Sequence, residues 1–354
     1  MPFGSKRCPV ADVKVSIGAV ELPRDARKAL IDVSVQDDTG AAAMFALRFL
    51  AWDPKKLDLR WSDDRTYESL FALGAEVAID LGYKGSLSEV MFGEITGIEF
   101  DLEGQRPTMT VRGYDRSHRM SRATRTRTFL QRTDAEIAAA IAGEYDLTAE
   151  GTSDVRHPYV MQFNQTDIEF LRQRADLIAY EIMVRRSTLR FRPRSRPDKP
   201  AFTLSPASDI LDLHLRLTAR DLVDTIEARG WDQKEKKKIV GTAHARDDRA
   251  MGGIVGAATA GERFMPATVA KVGLPVQNQT EADRIARAAL MEQDRGFITG
   301  EGTCYGRPEL QAGITVEITD FGRLSGPYEV VSTEHTYDAK QRYRTRFTVR
   351  RNAV

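Results

Sequence analysis

One pattern of strands occurs twice in this chain, and the repeat restricts the possible folds more than any other feature. The early copy occupies residues 74–112 and the late copy residues 313–350. Each copy starts at a glycine, reaches a block led by glutamate after 20 residues in the early copy and 16 in the late one, and ends in Thr-Val-Arg. The differences in length fall between the blocks, where loops absorb them.

Apolar and polar residues alternate with a period of two in both copies, and glycine or charged residues separate the alternating blocks. This pattern is typical of antiparallel meanders that bury one face. Unrelated meanders also resemble one another, because they share common strand-forming residues. The agreement in order, glycine placement and final tripeptide nevertheless favours a true duplication. We therefore predict a mainly β chain with two small β-domains and an α+β insertion.

The first β-domain is predicted to span residues 1–115, with strands over 13–22, 29–35 and 43–50 before the early copy. Residues 116–200 read as a small αβ domain. One helix begins at Thr133, where Glu136 completes a capping box, and another begins near Asp167, where Thr166 and Glu169 offer the same signal. A strand over 159–163 and a hairpin over 180–191 complete this domain.

The second β-domain is predicted to span residues 201–354. Its stretch from 246 to 268 is rich in glycine and alanine and has little periodicity, so we expect a mobile insertion loop at a plug, lumen or neighbour contact. A helix over 280–295 should follow, capped by Thr280 and ended by Gly296.

Composition excludes several classes of protein. The 52 basic and 51 acidic residues give a net charge of +1, so no overall field favours nucleic acid or membrane as a partner. Cys8 and Cys304 are too far apart in sequence to suggest a disulfide framework or a metal site. No stretch approaches the roughly 18 apolar residues of a membrane span, and the first residues do not read as an ordinary secretory signal.

Six arginines form a strip at the start of the αβ domain. One interpretation is a phosphate-binding surface, and the other is an inter-subunit or domain-packing surface. The sequence favours packing, because no stacking platform accompanies the charges. The residues are Arg116, Arg119, Arg122, Arg125, Arg127 and Arg132.

The sequence contains no pattern that predicts catalysis. Its five histidines are scattered, with no spacing typical of a zinc site, and no serine nucleophile motif occurs. Cys304 precedes a turn and is better explained as a small structural residue. Adjacent carboxylates such as Asp63 and Asp64 point apart on a strand or loop and cannot flank one bond. We predict no catalytic, cofactor-binding or metal-binding residues, and hence no enzyme.

Taken together, several stretches resemble the phage late control D family of contractile-tail baseplate hub proteins and the matching N-terminal part of VgrG spike proteins. No single stretch is diagnostic, but their order is fairly specific and covers nearly the whole chain. The stretches are residues 92–97, 111–115, 118–120, 157–171, 281–282 with Ala286 and Ala289, 300–313, 326–330 and His335.

The resemblance implies a homotrimer in which each subunit contributes two tube-like antiparallel β-barrels. Six barrels would then form a pseudo-six-fold ring that joins the hexameric inner tube to the trimeric spike. The internal repeat supports this arrangement independently, because three chains with two copies each supply six similar units. Closed symmetric assembly would also bury sheet edges that otherwise invite aggregation.

The expected partners are a separate spike protein, the inner tube or a tube-initiator protein, and baseplate wedge proteins. A separate spike is expected because Val354 directly follows the second meander. We expect no cofactor, no specific nucleic acid and no direct membrane insertion. The protein should assemble in the bacterial cytoplasm as part of a virion or a tail-like particle. The alternatives are a baseplate-associated cell-wall hydrolase and a nucleic-acid-binding module built on the arginine strip.

Overall fold

The structure is a computed structural model. It describes residues 10–53, 58–59, 70–103, 106–194, 200–232, 235–273, 276, 278–338, 340 and 342–354. Their contacts divide the chain into two compact units. Unit 1 contains the described residues of Met1–Arg116, Thr303–Gln311 and Thr333–Arg346. Unit 2 contains those of Ser117–Gly302, Ala312–Ser332 and Phe347–Val354.

Unit 1 is built mainly from antiparallel strands, which run in the order β3, β4, β9, β8, β7, β1, β2. Val13, Val15 and Ile17 alternate with more exposed residues along the first strand, so one face of the sheet is buried. The elements are β1 (Ala11–Ile17), β2 (Val20–Glu21), α1 (Arg24–Ala29), β3 (Leu30–Asp38), β4 (Met44–Leu50), β5 (Trp52–Asp53), β6 (Asp58–Leu59), β7 (Glu76–Tyr83), β8 (Ser86–Glu103) and β9 (Arg106–Tyr114).

Unit 2 combines several small sheets with helices. Its first elements are β10 (Thr124–Thr133), α2 (Asp134–Gly143), β11 (Thr148–Glu150), β12 (Arg156–Thr166), α3 (Asp167–Asp176), β13 (Tyr180–Arg185) and β14 (Thr188–Pro193). Its later elements are β15 (Thr203–Leu204), β16 (Ile210–Leu217), β17 (Thr225–Asp232), β18 (Lys237–His244), α4 (Gly256–Phe264), β19 (Thr268–Lys271), α5 (Gln279–Asp294) and β21 (Thr315–Ile318). Three further strands contribute residues to both units, and they are β20 (Ile298–Tyr305), β22 (Gly326–Asp338) and β23 (Tyr343–Arg351). The prediction of a mainly β chain with a smaller helical content is confirmed.

The predicted division into three domains, at residues 1–115, 116–200 and 201–354, stays a prediction. The contacts separate the chain after Arg116, but they group residues 117–302 in one unit. They also assign parts of the late strands to the unit of the early residues. The units show which residues pack together, whereas a duplication concerns their common origin. A strand of the late copy can therefore pack in the unit that contains the early residues.

The expected loop over 246–268 is wrong in one respect, since helix α4 occupies Gly256–Phe264 within it. The sequence did not predict this helix because it is short and contains Gly256 and Gly261, and glycine is a poor helix former. Packing stabilises it instead. The Gly256 N–H donates to the Asn352 carbonyl at 2.8 Å, and a Cβ at Gly256 would lie 2.2 Å from the Phe297 ring. The prediction that residues 246–268 lie at a plug, lumen or neighbour contact stays a prediction.

The helix expected over 280–295 exists as α5, but its cap is not Thr280. Asn278 has an extended backbone, and its side chain accepts a hydrogen bond from the Glu281 N–H at 2.9 Å. Asparagine is a stronger N-cap residue than threonine, and the helix therefore begins one residue earlier than predicted.

The two repeat copies share the same local geometry at their first turn. Gly74 and Gly313 have φ angles of 83° and 82°, a region that favours glycine. The Gly74 N–H donates to the Ile95 carbonyl at 2.8 Å, and the Gly313 N–H donates to the Val330 carbonyl at 2.8 Å. In each copy the glycine thus fixes the start of the meander against its next strand.

Strand register is also equivalent in the two copies. Glu76 lies opposite Glu94 in β7 and β8, and Thr315 lies opposite Glu329 in β21 and β22. Each pairing falls two residues after its starting glycine. Both copies therefore align a buried glutamate with the same position of the preceding strand.

These two glutamates are buried and each contacts an arginine. Glu94 is 2% exposed, and its carboxylate lies 3.4 Å from Nε of Arg116. Glu329 is 1% exposed and lies 3.3 Å from Nε of Arg295 and 3.2 Å from Nε of Arg350. Buried carboxylates need such partners, because an uncompensated charge in the interior is strongly destabilising.

Replacing Gly306 by alanine should destabilise unit 1. The Gly306 N–H donates to the Tyr343 carbonyl at 2.9 Å, and an added Cβ would lie 2.0 Å from the Tyr343 ring, which is buried. Overpacking of this kind costs about 1–3 kcal/mol, so the urea midpoint of Gly306→Ala should fall. Gly97→Ala is the matched control, because no atom lies within 4 Å of its added Cβ. Equal midpoints for the two variants would contradict the close packing at Gly306.

Candidate interaction surface

A two-stranded ribbon, formed by β10 and β12, joins the two best-capped helices of unit 2. The strands are antiparallel, with Thr128 opposite Met161 and Leu130 opposite Tyr159. β10 ends at Thr133, which is the N-cap of α2, and β12 ends at Thr166, which is the N-cap of α3. Both predicted capping boxes are confirmed. The ribbon is therefore held at both strand ends by helix-capping hydrogen bonds.

The inner side of the ribbon carries a polar network centred on Asp167, which is fully buried. The Arg127 guanidinium donates to Asp167 Oδ1 at 2.7 Å and to Gln162 Oε1 at 2.8 Å. Gln162 Nε2 donates to Asp167 Oδ1 at 2.8 Å, and the Tyr145 hydroxyl donates to Asp167 Oδ2 at 2.6 Å. Burial and the bond to Asp167 raise the pKa of Tyr145 to about 12, so the phenol stays protonated and keeps donating.

A second buried cluster lies around His157 at the start of β12. His157 Nε2 is 3.1 Å from Asp134 Oδ2, and His157 Nδ1 is 3.4 Å from Glu281 Oε1. Arg174 Nε donates to Asp134 Oδ1 at 2.7 Å, and Arg174 Nη2 lies 2.9 Å from His157 Nε2. The cluster joins α2, β12, α3 and α5. It also joins His157 and Glu281, which belong to two stretches that carry the family resemblance.

Burial lowers the pKa of His157, but the bonds to Asp134 and Glu281 outweigh that effect and raise the pKa to about 9. Burial raises the pKa of the Asp134 carboxyl, but the contacts with His157 and Arg174 outweigh that effect and hold the pKa below its usual value. The cationic imidazole of His157 lies between the carboxylates of Asp134 and Glu281 and neutralises most of the buried negative charge. The Arg174 contact opposes protonation of the ring, since both groups are then cationic.

The outer side of the ribbon is apolar and exposed. We call it the ribbon face, and it consists of Leu130, Tyr159, Met161 and Phe163. Their side chains are 62%, 47%, 43% and 66% exposed, respectively. Because Leu130 lies directly opposite Tyr159, and Met161 and Phe163 follow at alternate positions of β12, the four side chains form one continuous patch.

The arginine strip is largely turned away from the ribbon face. Arg125 and Arg127 form ion pairs with Glu144 and Asp167 on the inner side. Arg116 pairs with Glu76 and Glu94 within unit 1. In β10, Thr124, Thr126 and Thr128 alternate with Arg125 and Arg127, so the strand places these two cations inside and the hydroxyls outside. The ion pairs of Arg116, Arg125 and Arg127 agree with the predicted packing surface. The prediction that this surface lies between subunits stays untested.

The ribbon face was not identified from the sequence, although three of its residues, Tyr159, Met161 and Phe163, lie in one of the resemblance stretches. The alternation of Tyr159, Val160, Met161, Gln162 and Phe163 indicates a strand with two distinct sides. A pattern of period two cannot tell which side faces the core. Here the side with three large apolar residues faces solvent, and the side with Gln162 is buried.

Other residues with reactive or metal-binding side chains are dispersed over the described part of the chain. The described residues include no group of three or more His, Cys, Asp or Glu side chains that could hold a metal ion. Cys304 is fully buried in β20. Of the helices that the structure describes, none has the length and apolar content to cross a membrane. The prediction that the chain has no catalytic or cofactor-binding residues stays a prediction.

A family model described as the Alg8 N-terminal domain matches residues 8–338 of the chain. A search of curated proteins found no match.

Solved structures of tail proteins share the fold of the chain. The 43 kDa tail protein of prophage MuSo2 from Shewanella oneidensis has a TM-score of 0.72 at 12% identity, over 97% of this chain and 98% of that one. A tail protein from Neisseria meningitidis MC58 has a TM-score of 0.69 at 12% identity, over 97% of both chains. The Escherichia coli c3393 protein, a component of the type VI secretion system, has a TM-score of 0.58 at 11% identity, over 95% of this chain and 76% of that one. The predicted resemblance to tail and baseplate proteins is thus confirmed at the level of fold.

Replacing His157 by glutamine should make stability less dependent on pH. The folded-state pKa of about 9 lies above the ordinary value of 6.5, so the stabilisation from the charged ring is complete below about pH 6.5 and is lost as pH rises through about 9. His157→Gln should therefore unfold at lower urea than the wild type at pH 6, with the gap shrinking at pH 10. The exposed His214 supplies the control variant His214→Gln. A gap that stays constant across this pH range would contradict a charged His157.

Proposed function

The chain belongs to the Alg8 N-terminal domain family, and from its fold we propose that it is a structural component of a phage tail or a tail-like injection particle. The observation that carries the proposal is the agreement of fold with tail proteins over nearly the full length of both chains. Agreement of this extent concerns the whole architecture, and the proposed role follows from analogy with those tail proteins.

We further propose that the protein is the hub of the baseplate and forms a homotrimer. The equivalent turns at Gly74 and Gly313, together with the equivalent register that follows them, support two similar β-domains in each chain. Three chains would then present six similar units, which suits a ring between a six-fold tube and a three-fold spike. A closed ring uses the same interface repeatedly and leaves no free end.

The proposed partners are a separate spike protein, the inner tube or a tube-initiator protein, and baseplate wedge proteins. Relatives by fold include a chain of the Francisella PdpA-VgrG complex, with a TM-score of 0.54 at 7% identity, over 98% of this chain and 53% of that one. The proposed role is mechanical and non-enzymatic, with specificity carried by extended interfaces. The particle would assemble in the bacterial cytoplasm.

The purified protein should have the mass of three chains of 39.6 kDa, alone or in complex with its spike. Light scattering after size exclusion, with and without a spike protein encoded beside it, measures this directly. Because the proposed ring closes, the mass should stay constant as protein concentration rises. A monomer that binds neither spike nor tube protein at any concentration would contradict the hub role. Clearing of a peptidoglycan suspension by the pure protein would instead favour a hydrolase.

A further inference from the structure

We propose that the free edge of β16 is a docking site for an extended segment of a different protein, which adds to it as an antiparallel strand. The segment has apolar residues at alternate positions and, between them, an acidic residue followed four positions later by a basic one. The choice of a different protein rests on the proposed ring of three subunits. Two β16 strands paired with each other would form a two-fold contact, which neighbours in such a ring cannot share.

β16 is a long and regular edge strand. Among the described residues it pairs only with β20, at one end of the order of strands. It is 8 residues long, contains neither proline nor lysine, and has no residue with a positive φ angle. Natural edge strands are commonly protected by short length, proline, lysine or bulges. An edge without these devices offers its backbone groups to another strand, as in peptide recognition by strand addition.

The carbonyl groups of β16 show which of its backbone groups face the free edge. The Asp212 carbonyl oxygen lies 2.9 Å from the position that a Cβ would take at Gly302. The His214 carbonyl oxygen lies 2.8 Å from the same position at Gly300, so both groups point towards β20. Backbone groups of successive residues point to opposite sides of a strand. Those of the leucines in between therefore face the free edge, where an antiparallel strand can exchange hydrogen bonds with them.

One face of β16 carries a row of leucines that the protein only partly covers. The two central leucines lie over β20, because a Cβ at Gly300 would come within 2.4 Å of the Leu215 side chain and one at Gly302 within 2.9 Å of Leu213. The two outer leucines are 40% and 38% exposed. Apolar residues of an added strand would lie directly opposite this row and bury more of it. The row consists of Leu211, Leu213, Leu215 and Leu217.

The other face of β16 carries Asp212, His214 and Arg216, all of them exposed. Within the described part of the chain, neither Asp212 nor Arg216 forms an ion pair. An antiparallel strand would pair with both charges if it placed an acidic residue opposite Arg216 and a basic residue opposite Asp212. A strand shifted by two positions would lose both pairs. The two charges therefore select the register as well as the partner.

Two labelled peptides of identical composition test this charge pattern. Aligned antiparallel with residues 211–217, the peptide Leu-Glu-Leu-Thr-Leu-Lys-Leu places its glutamate opposite Arg216 and its lysine opposite Asp212. The second peptide, Leu-Lys-Leu-Thr-Leu-Glu-Leu, places like charges opposite each other. By fluorescence anisotropy the protein should bind the first peptide about tenfold more tightly, because two attractive cross-strand pairs replace two repulsive ones. N-methylation of the two central leucines should abolish this binding, since it removes hydrogen-bond donors to β16.

Exchanging the charges on the protein separates strand pairing from nonspecific adsorption. The double variant Asp212→Arg with Arg216→Asp should prefer the second peptide. Both side chains are exposed, so the fold should persist, as circular dichroism and thermal unfolding will verify. The matched control is Arg220→Asp with Asp221→Arg, which exchanges an exposed ion pair outside β16 and should leave the preference for the first peptide unchanged.

Equal binding of the two peptides to the wild type, or a preference that the double variant at positions 212 and 216 does not reverse, would overturn the assignment. A trimeric wild type that binds neither peptide would overturn this inference and leave the hub proposal standing. A wild type with the mass of two chains that falls to one chain when the first peptide is added would assign the edge to a second copy. That result would overturn both the different protein as occupant and the proposed ring of three.

Discussion

The pairing of buried carboxylates with arginine is the interaction on which the arrangement of this chain most depends. Glu94 and Glu329 occupy equivalent positions in two meanders, and each is removed from water beside at least one guanidinium. Asp167 serves unit 2 in the same way, with Arg127 as its partner. Buried ion pairs add little net stability compared with apolar packing, but breaking one is costly. We infer that they act mainly by disfavouring alternative registers, in which a carboxylate would be left without its cation.

The ribbon of β10 and β12 shows how such a network determines the character of a surface. Its inner side combines Phe129 and Val160, which belong to a hydrophobic core of unit 2, with the Asp167 network, while its outer side presents large apolar groups to solvent. The buried inner side fixes the strands in place. The exposed outer side is then a rigid apolar surface, which lowers the entropic cost of docking because little remains to be ordered on binding.

The mechanical role proposed for this chain would require broad interfaces and stable subunits more than a chemically specialised pocket. The described residues agree with this requirement, because their clustered titratable side chains form ion pairs inside the protein. The group of His157, Asp134 and Arg174 is an example. Among the described residues, most of the large apolar side chains left in solvent lie on strands. Assembly would thus draw its free energy from apolar burial, with charges selecting orientation.

Local patterns in the sequence determined the elements whose causes are local. The capping boxes at Thr133 and Thr166, the alternating strands and the equivalent turn glycines of the two repeats were all readable, because each depends on residues close together in the chain. Tertiary structure alone decided that Gly256 starts a helix, since its stability comes from contact with Phe297 and the end of the chain. It also decided which side of β12 faces the solvent. A period of two defines two sides of a strand, and only the rest of the fold selects the one to be buried.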